Sequence, residues 1–534
     1  MNRTALLSVF EKRGIVEFAQ QLVTLRFRIF ASGGTANKLA EAGIPVSDVA
    51  SLVGGDAILG HRVVTLSREV HAGLLARDTR EDREELDRLG IPWIDLVCVD
   101  LYPLRVEIEN PNSTRESVIE KTDIGGPTLL RSAAKGGRIV ICDPDDRGRV
   151  IEWLKEGEPD RETFLHKLAA KTEMVVARYC LDSARYHSDG DYDGLIGKQV
   201  ATCLYGENAH QAPAALFSTD TEDPLSLDRF EHVAGTVPSY NNRCDQDRLL
   251  QAITHIAATL DVNYEQVPFI AVGAKHGNLC GGAIANDDPI KVLRKMICGS
   301  LIAIHGGLVM TNFGIDEEGA ETLLTYQQTK GRRLLDGIFA PVFTEGAVKM
   351  LERKRDKCRF LVNPELGRLG HESLDQASRF RQVRGGFLRQ PNYTFVLDLT
   401  DPRIEKVGKA TSEQEKDLLL ALAIGSRSNS NTITIVHDTM LIGNGVGQQD
   451  RVGAARLAID RARSENHETD GAVAYSDSFF PFTDGPKVLI DAGIKVIFAS
   501  SGSVRDEEVK TFCREHDVVL YLIPDKVGRG FFGH

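Results

Sequence analysis

The sequence predicts an α/β protein built from parallel sheets with helices on both faces. Strand-like and helix-like segments alternate over the first 140 residues, and this order builds a parallel sheet. A second mixed series of strands and helices runs from about residue 199 to residue 534. Hydrophobic residues make up 42% of the chain and charged residues 26%, which is ordinary usage for a globular protein.

The N-terminal elements follow from apolar runs and the turn residues between them. Short β-branched runs predict strands, and apolar residues recurring every three to four positions predict helices. The predicted strands are 4–10, 28–31, 93–101 and 138–142, the predicted helices are 14–25, 35–42 and 128–135, and a helical pattern covers 145–185. The polar, glycine-containing segment 188–194 predicts a linker, so the domains are expected to be 1–198 and 199–534.

The C-terminal region repeats the alternation of strands and helices. Helices are predicted at 413–424, 448–462 and around 488–490, and strands at 432–436, 495–499 and 518–523. No fixed-period repeat is visible in the sequence.

Charge and cysteine usage exclude several classes of protein. The chain has 64 Lys and Arg against 76 Asp and Glu, which argues against a generally basic nucleic-acid binder. No apolar run approaches the ~18 residues of a membrane span, and the first residues do not read as a signal peptide. Nine scattered cysteines without a CxxC pair favour reduced thiols in the cytoplasm and disfavour a cysteine-rich metal site.

The motif Ser32-Gly33-Gly34-Thr35 follows a predicted strand and opens a predicted helix. Free N–H groups at a helix start attract anions, so the motif suits a phosphate cradle. An ordinary strand–helix turn capped by a hydroxyl explains the same residues.

A second group of polar residues surrounds a glycine pair. Asp123 precedes Gly125 and Gly126, and Lys135 ends the predicted helix behind them. The group could form a charged pocket wall, although on these residues alone a capped surface helix is the simpler interpretation. Tyr102 follows a predicted strand, and ligands of parallel sheets lie beyond such strand ends.

Lys275 and His276 follow an apolar run and enter a glycine-rich turn. A histidine titrates near neutral pH, and an adjacent cation keeps it unprotonated, so the pair suits proton transfer. A water-facing charge pair is the alternative. The glycines of 443–447 lack the spacing of a dinucleotide loop and predict a tight turn into the helix 448–462.

Together, and in this order, the motifs resemble the bifunctional AICAR transformylase/IMP cyclohydrolase family of purine biosynthesis. The resemblance runs over essentially the whole chain, and it is carried by FASGGTANKLAEAGIPV, TDIGGPTLLRSAAK, YGENAHQ, AKHGNLCGG, SNTITIV, GNGVGQQDRV and SDSFFPFTDG.

The resemblance implies a two-domain enzyme. The N-terminal domain would have the methylglyoxal-synthase-like fold and close formyl-AICAR to IMP. The C-terminal domain would contain two cytidine-deaminase-like α/β halves and transfer a formyl group from 10-formyltetrahydrofolate to AICAR. The family also implies a homodimer with transformylase sites at the subunit interface and no metal, and it leaves a bound monovalent cation open.

The resemblance also implies roles for individual residues. In formyl transfer, His276 would take the amine proton beside Lys275, and Asn431 would bind the formyl oxygen. Substrate and folate contacts would come from Tyr205, His210, Arg451, Phe479, Asp484 and Arg529. In ring closure the phosphate would meet Lys12, Ser32, Gly33, Gly34 and Thr35, and the ring would meet Arg62, Thr65, Tyr102, Asp123 and Lys135.

Departures from the family pattern fall at functional positions. Val64 stands where the family has a cyclohydrolase lysine, and Leu204 replaces an arginine. Phe10 replaces a small hydroxyl residue, and His305 replaces a phenylalanine. Three alternatives therefore stay open: a transformylase with an impaired cyclohydrolase site, a paralogue acting on a related heterocyclic nucleotide, and a non-catalytic nucleotide-binding protein.

Overall fold

The computed structural model describes residues 3–55, 58–59, 63–219 and 221–533. The chain divides into two compact units, Met1–Ile196 and Gly197–His534. None of the described helices is both long and apolar enough to cross a bilayer.

The first unit is a parallel sheet covered by helices. Its strands are β1 (Arg3–Val9), β2 (Phe27–Ala31), β3 (Val46–Asp48), β4 (Leu96–Asp100) and β5 (Ile139–Ile141). Its α-helices are α1 (Ile15–Thr24), α2 (Gly33–Glu41), α3 (Arg68–Leu75), α4 (Arg80–Leu89), α5 (Leu104–Glu109), α6 (Arg115–Glu120), α7 (Gly125–Lys135), α8 (Asp146–Lys155) and α9 (Arg161–His187). The strand order is β3-β2-β1-β4-β5, and every pairing is parallel.

The predicted parallel sheet is confirmed, with two differences in element bounds. The strand predicted at 93–101 is shorter, because pairing with β1 begins only at Leu96, which lies opposite Ala5. The helical pattern 145–185 is two helices, because the segment Gly157–Pro159 interrupts it and Gly157 and Glu158 have positive φ values of 84° and 62°. Those backbone angles are incompatible with a continuous right-handed helix.

The second unit is built on one long mixed sheet. Its strands are β6 (Lys198–Cys203), β7 (Ala214–Ser218), β8 (Glu231–Ala234), β9 (Phe269–Lys275), β10 (Asn278–Ala285), β11 (Leu308–Thr311), β12 (Gly337–Ala340), β13 (Arg359–Val362), β14 (Arg379–Val383), β15 (Gly386–Gln390), β16 (Glu405–Val407), β17 (Ile433–His437), β18 (Met440–Gly445), β19 (Val473–Ser476), β20 (Val496–Ser501) and β21 (Val519–Pro524).

Helices cover both faces of that sheet. They are α10 (Tyr240–Tyr264), α11 (Pro289–Cys298), α12 (Glu317–Thr325), α13 (Glu345–Leu351), α14 (Ser412–Gly425), α15 (Arg451–Ser464), α16 (Asp484–Asp491), α17 (Asp506–Glu515) and α18 (Asp525–Gly528). Short 3₁₀ helices lie at Val49–Leu52, Leu227–Arg229, Lys354–Asp356, Pro364–Arg368 and His371–Ser373.

The long sheet contains the same arrangement twice. Its order is β16-β21-β20-β19-β17-β18-β10-β9-β11-β12-β13-β8. Each half has a helix, an antiparallel hairpin and three parallel strands joined by helices, and each ends in an antiparallel edge strand. The halves meet where β10 pairs with β18. This duplication is one of topology, which explains why no fixed-period repeat is visible in the sequence.

The helices α10 and α14 supply the shared core of the two halves. Leu418 to Gly425 of α14 are all buried, which fits a helix enclosed on every side. Leu249, Ile253 and Ile256 of α10 belong to the same hydrophobic cluster. Both helices therefore lie inside the unit, and the other helices form separate smaller cores with the sheet.

Glycines at the centre of the sheet allow helices to approach the strands closely. The glycine turn predicted at 443–447 is wrong in part, since Gly443 and Gly445 lie within β18, and α15 begins at Arg451 after the cap residue Asp450. A Cβ on Gly445 would lie 2.0 Å from the carbonyl oxygen of Ala454, and one on Gly443 would lie 2.2 Å from that of Ala458.

We expect Gly445→Ala to destabilise the second unit by about 1–3 kcal/mol, because the methyl group would push α15 away from β18. Chemical denaturation monitored by circular dichroism measures this change. Gly386→Ala is the control, since a Cβ there meets no atom within 4 Å. Equal stability of the two variants would contradict the close packing of α15 on β18.

Candidate active site

In the first unit, polar groups gather beyond the ends of neighbouring parallel strands. Lys12 Nζ donates to the carbonyl oxygen of Val9 and lies 3.3 Å from Thr35 Oγ1. Ser32 Oγ lies 2.7 Å from the hydroxyl of Ser8. A Cβ on Gly34 would lie 4.0 Å from Lys12 Cε. The structure therefore brings the Ser32–Thr35 helix start and Lys12 together, and Gly33 provides the turn with a φ of 32°.

Asp123 lies in a second polar group of the same unit. Its Oδ1 accepts a hydrogen bond from the Gly126 amide at 2.8 Å. A Cβ on Gly125 would lie 3.0 Å from Thr65 Oγ1 and 4.0 Å from Asp123 Oδ1, so Thr65 and Asp123 flank this glycine. Burial raises the pKa of the Asp123 carboxyl above its ordinary value, which makes the carboxylate a stronger base.

Tyr102 borders the same group. Burial, and then the charge of Asp123, raise the pKa of the Tyr102 phenol, so it is a proton donor at neutral pH. The Phe10 ring meets the Tyr102 ring edge-to-face at 5.5 Å. Asp100 accepts the Glu11 amide at 3.0 Å and so fixes the loop that carries Phe10.

Other predicted residues of this unit lie elsewhere. Lys135 is exposed at the last position of α7, ten residues from Gly125 and therefore about 15 Å along the helix. Val64 is half-buried and packs against the hydrophobic core. Arg62 lies outside the described residues.

In the second unit, Lys275 and His276 lie at the turn between β9 and β10. His276 and Gly277 have positive φ values of 53° and 73°, so the chain reverses tightly there. The Gly277 amide donates to Asp245 Oδ1 at 2.5 Å, and Lys275 Nζ donates to the His305 carbonyl at 2.7 Å. Asp245 thus fixes the backbone of the turn that carries His276, and the His305 carbonyl fixes the Lys275 side chain.

The equivalent turn of the other half is held in the same way. Asp417 accepts the amides of Asp438 and Thr439 at 3.0 and 2.6 Å. Asp245 lies five residues beyond the start of α10, and Asp417 lies five beyond the start of α14. An aspartate of the preceding helix therefore fixes each hairpin turn, and the first half carries the Lys-His pair there.

A cavity of about 330 Å³ opens beside this turn. Its walls come from both halves of the sheet, and they include Lys275, His276, Asn278, Cys280, Leu441, Asn444, Val446 and Arg461. The size is in the range of small-molecule sites. The junction of β10 and β18 therefore forms the floor of a candidate substrate site.

Asn431 belongs to a buried chain of polar contacts. Its Nδ2 donates to the Gln448 carbonyl at 3.0 Å, and its Oδ1 accepts Arg451 Nη1 at 2.9 Å. Arg451 also pairs with Asp477 at 3.1 Å. Asp477 further accepts Ser430 Oγ at 2.6 Å and the Thr432 amide at 3.0 Å. Asp477 thereby fixes both the Asn431 segment and Arg451.

The C-terminal segment crosses an arginine-rich region next to Asn431. The Ser430 amide donates to the Phe532 carbonyl at 3.1 Å. The guanidinium groups of Arg248, Arg379 and Arg427 lie 4.1–5.4 Å from the centre of the Phe532 ring. Cations above ring faces are attracted to them.

Arg248 connects the arginine-rich region to the Lys-His turn. It lies 3.3 Å from Asn429 Oδ1, and the Asn429 amide lies 3.4 Å from Asn278 Oδ1. Asn278 directly follows the turn. The Lys275–His276 pair and the Asn431 segment are thus joined by a short series of side chains.

The remaining predicted residues occupy the surface of this unit. Asp484 is exposed and accepts the Gly485 amide at 2.8 Å, Phe479 is half-buried, and Arg529 pairs with Asp525. Tyr205 and exposed His210 lie in the β6–β7 loop, next to Leu204, which is 56% exposed. The contacts within the unit do not bring these side chains to His276.

Sequence reasoning missed Asp245, Asp477, Arg248 and Arg427. Asp477 lies within the motif SDSFFPFTDG, whereas Asp245 lies in the segment CDQD, outside the motifs named above. Their roles depend on contacts between distant segments, which a single sequence does not show. The described residues contain no group of three or more His, Cys, Asp or Glu arranged to hold a metal ion.

We expect Asp477→Ala to destabilise the protein by about 3–5 kcal/mol, because removal of this buried carboxylate leaves the largely buried Arg451 charge unpaired. Thermal and chemical denaturation measure the change. Asp484→Ala is the matched control, since this carboxylate is exposed and its removal costs within about 0.5 kcal/mol. Unchanged stability in Asp477→Ala would contradict the role assigned to this carboxylate.

Comparisons with known proteins extend over almost the entire chain. A family model described as the AICARFT/IMPCHase bienzyme matches residues 133–461, and an MGS-like domain model matches residues 14–128. The bifunctional purine biosynthesis proteins PurH of Anoxybacillus flavithermus and Persephonella marina are 34% and 33% identical to this chain. Each match covers 97% of this chain and 98% of the relative.

A solved structure, the crystal structure of ForH, is 35% identical to this chain. The match covers 35% of this chain and 100% of that chain, with a TM-score of 0.31, so it carries no argument about the fold. The full-length relatives and the two family models agree with the motifs along the sequence. The chain belongs to the AICARFT/IMPCHase bienzyme family, with an MGS-like domain at its N-terminus.

Proposed function

We propose that this chain transfers a formyl group from 10-formyltetrahydrofolate to AICAR and then closes formyl-AICAR to IMP. The observation that carries the proposal is the Lys275–His276 turn beside a cavity at the junction of the two halves. We assign ring closure to residues 1–198 and formyl transfer to residues 199–534.

His276 acts as the base in formyl transfer. The AICAR amine is conjugated with the carboxamide-bearing ring, so it is a weak nucleophile and must lose a proton as it attacks. A bond forms between the amine nitrogen and the formyl carbon, and the bond from that carbon to the folate nitrogen breaks. The folate nitrogen keeps the electron pair and takes a proton.

Lys275 and Asn431 support this step by charge and hydrogen bonding. Lys275, fixed by the His305 carbonyl, places a positive charge next to His276 and polarises the reacting groups there. Asn431 Nδ2 uses one hydrogen on Gln448, which leaves its second hydrogen for the formyl oxygen. Such a donor is typically worth a factor of about 10² to 10³ in rate.

We infer that two copies of the chain form a homodimer in the cytoplasm. The β14–β15 hairpin exposes Phe387 at 45% and Leu388 at 61%, and grouped exposed apolar residues mark interaction surfaces. A partner subunit over this hairpin would also bring surface residues such as Tyr205 and His210 to a shared site. The unpaired state of all nine cysteines supports a reducing compartment.

Ring closure in the first unit combines a phosphate site with a base. The start of α2 and Lys12 offer backbone amides, hydroxyls and a positive charge to the substrate phosphate. Asp123 takes one proton from the carboxamide nitrogen as that nitrogen bonds to the formyl carbon, and Tyr102 protonates the formyl oxygen to a hydroxyl. The C–O bond then breaks as Asp123 returns its proton to the hydroxyl, which leaves as water. The formamido nitrogen gives its proton to the Tyr102 phenolate and forms the C=N bond of the ring. Because the reaction is intramolecular, orientation supplies much of the rate.

A transformylase with an impaired cyclohydrolase site is the second candidate. The Val64 side chain packs against the core and offers neither a charge nor a hydrogen bond. Lys135 lies at the far end of α7 from Asp123. In this candidate, ring closure of formyl-AICAR proceeds at its unaided rate.

Product analysis by mass spectrometry tests both candidates. The purified chain is incubated with AICAR and 10-formyltetrahydrofolate, and formyl-AICAR and IMP are followed over time. IMP formed faster than by uncatalysed closure supports the bifunctional proposal. Accumulated formyl-AICAR supports the second candidate, and no turnover overturns both. Parallel runs in potassium and tetramethylammonium buffers test for a monovalent cation.

We expect His276→Ala and Lys275→Ala each to lower formyl transfer by a factor of about 10² to 10⁴, because the first removes the general base and the second removes the positive charge beside it. Steady-state kinetics with AICAR measure the loss. Lys349→Ala, a change at an exposed lysine of α13, is the control. Unchanged transfer in either site variant would contradict the assigned site.

We expect ring closure to decrease at low pH with a midpoint above the ordinary carboxyl pKa of about 3.9, because burial raises the pKa of Asp123. The carboxylate is the active form, so activity is lost as the pH falls through this raised value. Protonation favours the folded state over the same range, so folding stability changes in the opposite direction.

Asp123→Asn tests the assignment, because the amide keeps the acceptor for Gly126 but cannot take a proton. Rates are measured with formyl-AICAR from pH 4 to pH 8. Loss of ring closure with unchanged formyl transfer supports Asp123 as the base. An Asp123→Asn variant that keeps the wild-type rate of ring closure and the same loss of activity at low pH excludes Asp123 as the base.

A further inference from the structure

A second cavity lies in the first half of the second unit, away from the residues assigned to catalysis. Its volume is about 550 Å³, which is large enough for a small molecule of nucleotide size. Two chain segments form most of its lining, 332–335 before β12 and 350–357 from the last residues of α13 onward, and Leu324 of α12 completes it.

The lining combines many positive charges with an apolar floor. Six lining side chains are basic and one is acidic: Arg332, Arg333, Arg353, Lys354, Arg355 and Lys357 against Glu352. Leucines at 324, 334, 335 and 351 and Met350 make up the apolar part. Among the described residues, Arg353 is the one member of the six that forms an ion pair, with Asp336 at 2.5 Å. A concave surface with this excess of one charge concentrates anions.

Arg333 is the strongest indication that the cavity accepts an anion. It is 1% exposed, and its Nη1 and Nη2 donate to the carbonyls of Leu323 and Tyr326 at 2.7 Å each. Its Nε is buried with no hydrogen-bond partner among the described residues. A buried guanidinium that has only neutral partners and an unused donor is costly, and an anion in the cavity would reduce that cost.

We propose that this cavity binds a nucleoside di- or triphosphate and that the bound nucleotide changes the position of the Lys275 side chain. Several unneutralised cations fit an oligophosphate better than a single negative charge, and the leucine-rich floor fits a flat heterocycle. The cavity would then be a regulatory site separate from the substrate site.

Hydrogen bonds connect the cavity wall to Lys275. The Leu334 carbonyl accepts the Gly306 amide at 2.7 Å, and the Asp336 amide donates to the Gly307 carbonyl at 2.9 Å. His305 directly precedes Gly306, and its carbonyl accepts a hydrogen bond from Lys275 Nζ at 2.7 Å. A ligand that displaces the segment 332–335 therefore displaces the loop that holds Lys275. This effect on turnover rests on the proposed formyl transfer, whereas binding does not.

Isothermal titration of the full chain with ATP tests the binding. Saturating AICAR is included so that the substrate site is filled. ATP is expected to bind, while adenosine and inorganic tripolyphosphate bind at least tenfold more weakly. No binding of ATP overturns the proposal, and equal binding of tripolyphosphate overturns recognition of the nucleoside.

Charge reversal on the lining locates the site. Lys354→Glu/Arg355→Glu is expected to weaken ATP binding at least tenfold, because both residues line the cavity. Lys349→Glu/Arg368→Glu is the matched control, with two exposed cations of the same half outside the lining. Circular dichroism confirms that both variants are folded. Equal binding by the two double variants overturns the location.

Formyl-transfer kinetics then test the coupling. ATP is expected to change kcat/KM of the wild-type chain at least threefold and to leave Lys354→Glu/Arg355→Glu unaffected. ATP that binds at the lining without changing turnover overturns the coupling alone. A chain that binds ATP but never transfers a formyl group overturns the proposed function and the coupling with it, while the titration still decides the binding.

Discussion

The close approach of helices to glycine backbone at the centre of the long sheet is the constraint on which the second unit depends. α15 lies directly over Gly443 and Gly445, and a Cβ on Gly281 would lie 2.2 Å from the Met296 carbonyl of α11. Side chains at these positions would separate the layers. Because β10 and β18 are packed so tightly, the two halves share one continuous sheet, and the cavity beside His276 opens at their junction.

The candidate sites are fixed by carboxylates that accept backbone amides. Asp245 and Asp417 each hold a hairpin turn, and Asp477 holds the Asn431 segment together with Arg451. In the first unit Asp123 accepts the Gly126 amide. Carboxylates with several donors are positioned rigidly, which is a requirement for groups that must meet a reacting atom.

The order of elements was largely predictable from the sequence, whereas the contacts between them were not. The parallel strands of the first unit and the helix α14 follow from local patterns of apolar residues. The start of α15 depended on a cap by Asp450, and the break after α8 depended on positive φ values at Gly157 and Glu158. These are features of backbone geometry that periodicity does not contain.

The candidate site was predictable only where its residues form local motifs. Lys275 and His276 are adjacent in the sequence, and so are the residues of the Ser32–Thr35 segment. Each of these two motifs is local within its own unit. Asp477 and Arg451 are separated by 26 positions, and Arg248 reaches Asn429 across 181. Their pairing follows from the sheet register, which a single sequence does not give.

The paired halves also determine how the chain can be divided. At the middle of the long sheet, each half contributes a glycine-rich strand, β10 or β18. The edge of each of these strands is paired with the other half. A fragment ending before α14 would keep the pairing of β10 with β9 but would leave the edge of β10 that faces β18 without a partner. An open strand edge of this kind recruits other chains. Such a fragment would associate with itself or aggregate. The two halves therefore have to be produced on one polypeptide to give a protein of defined oligomeric state.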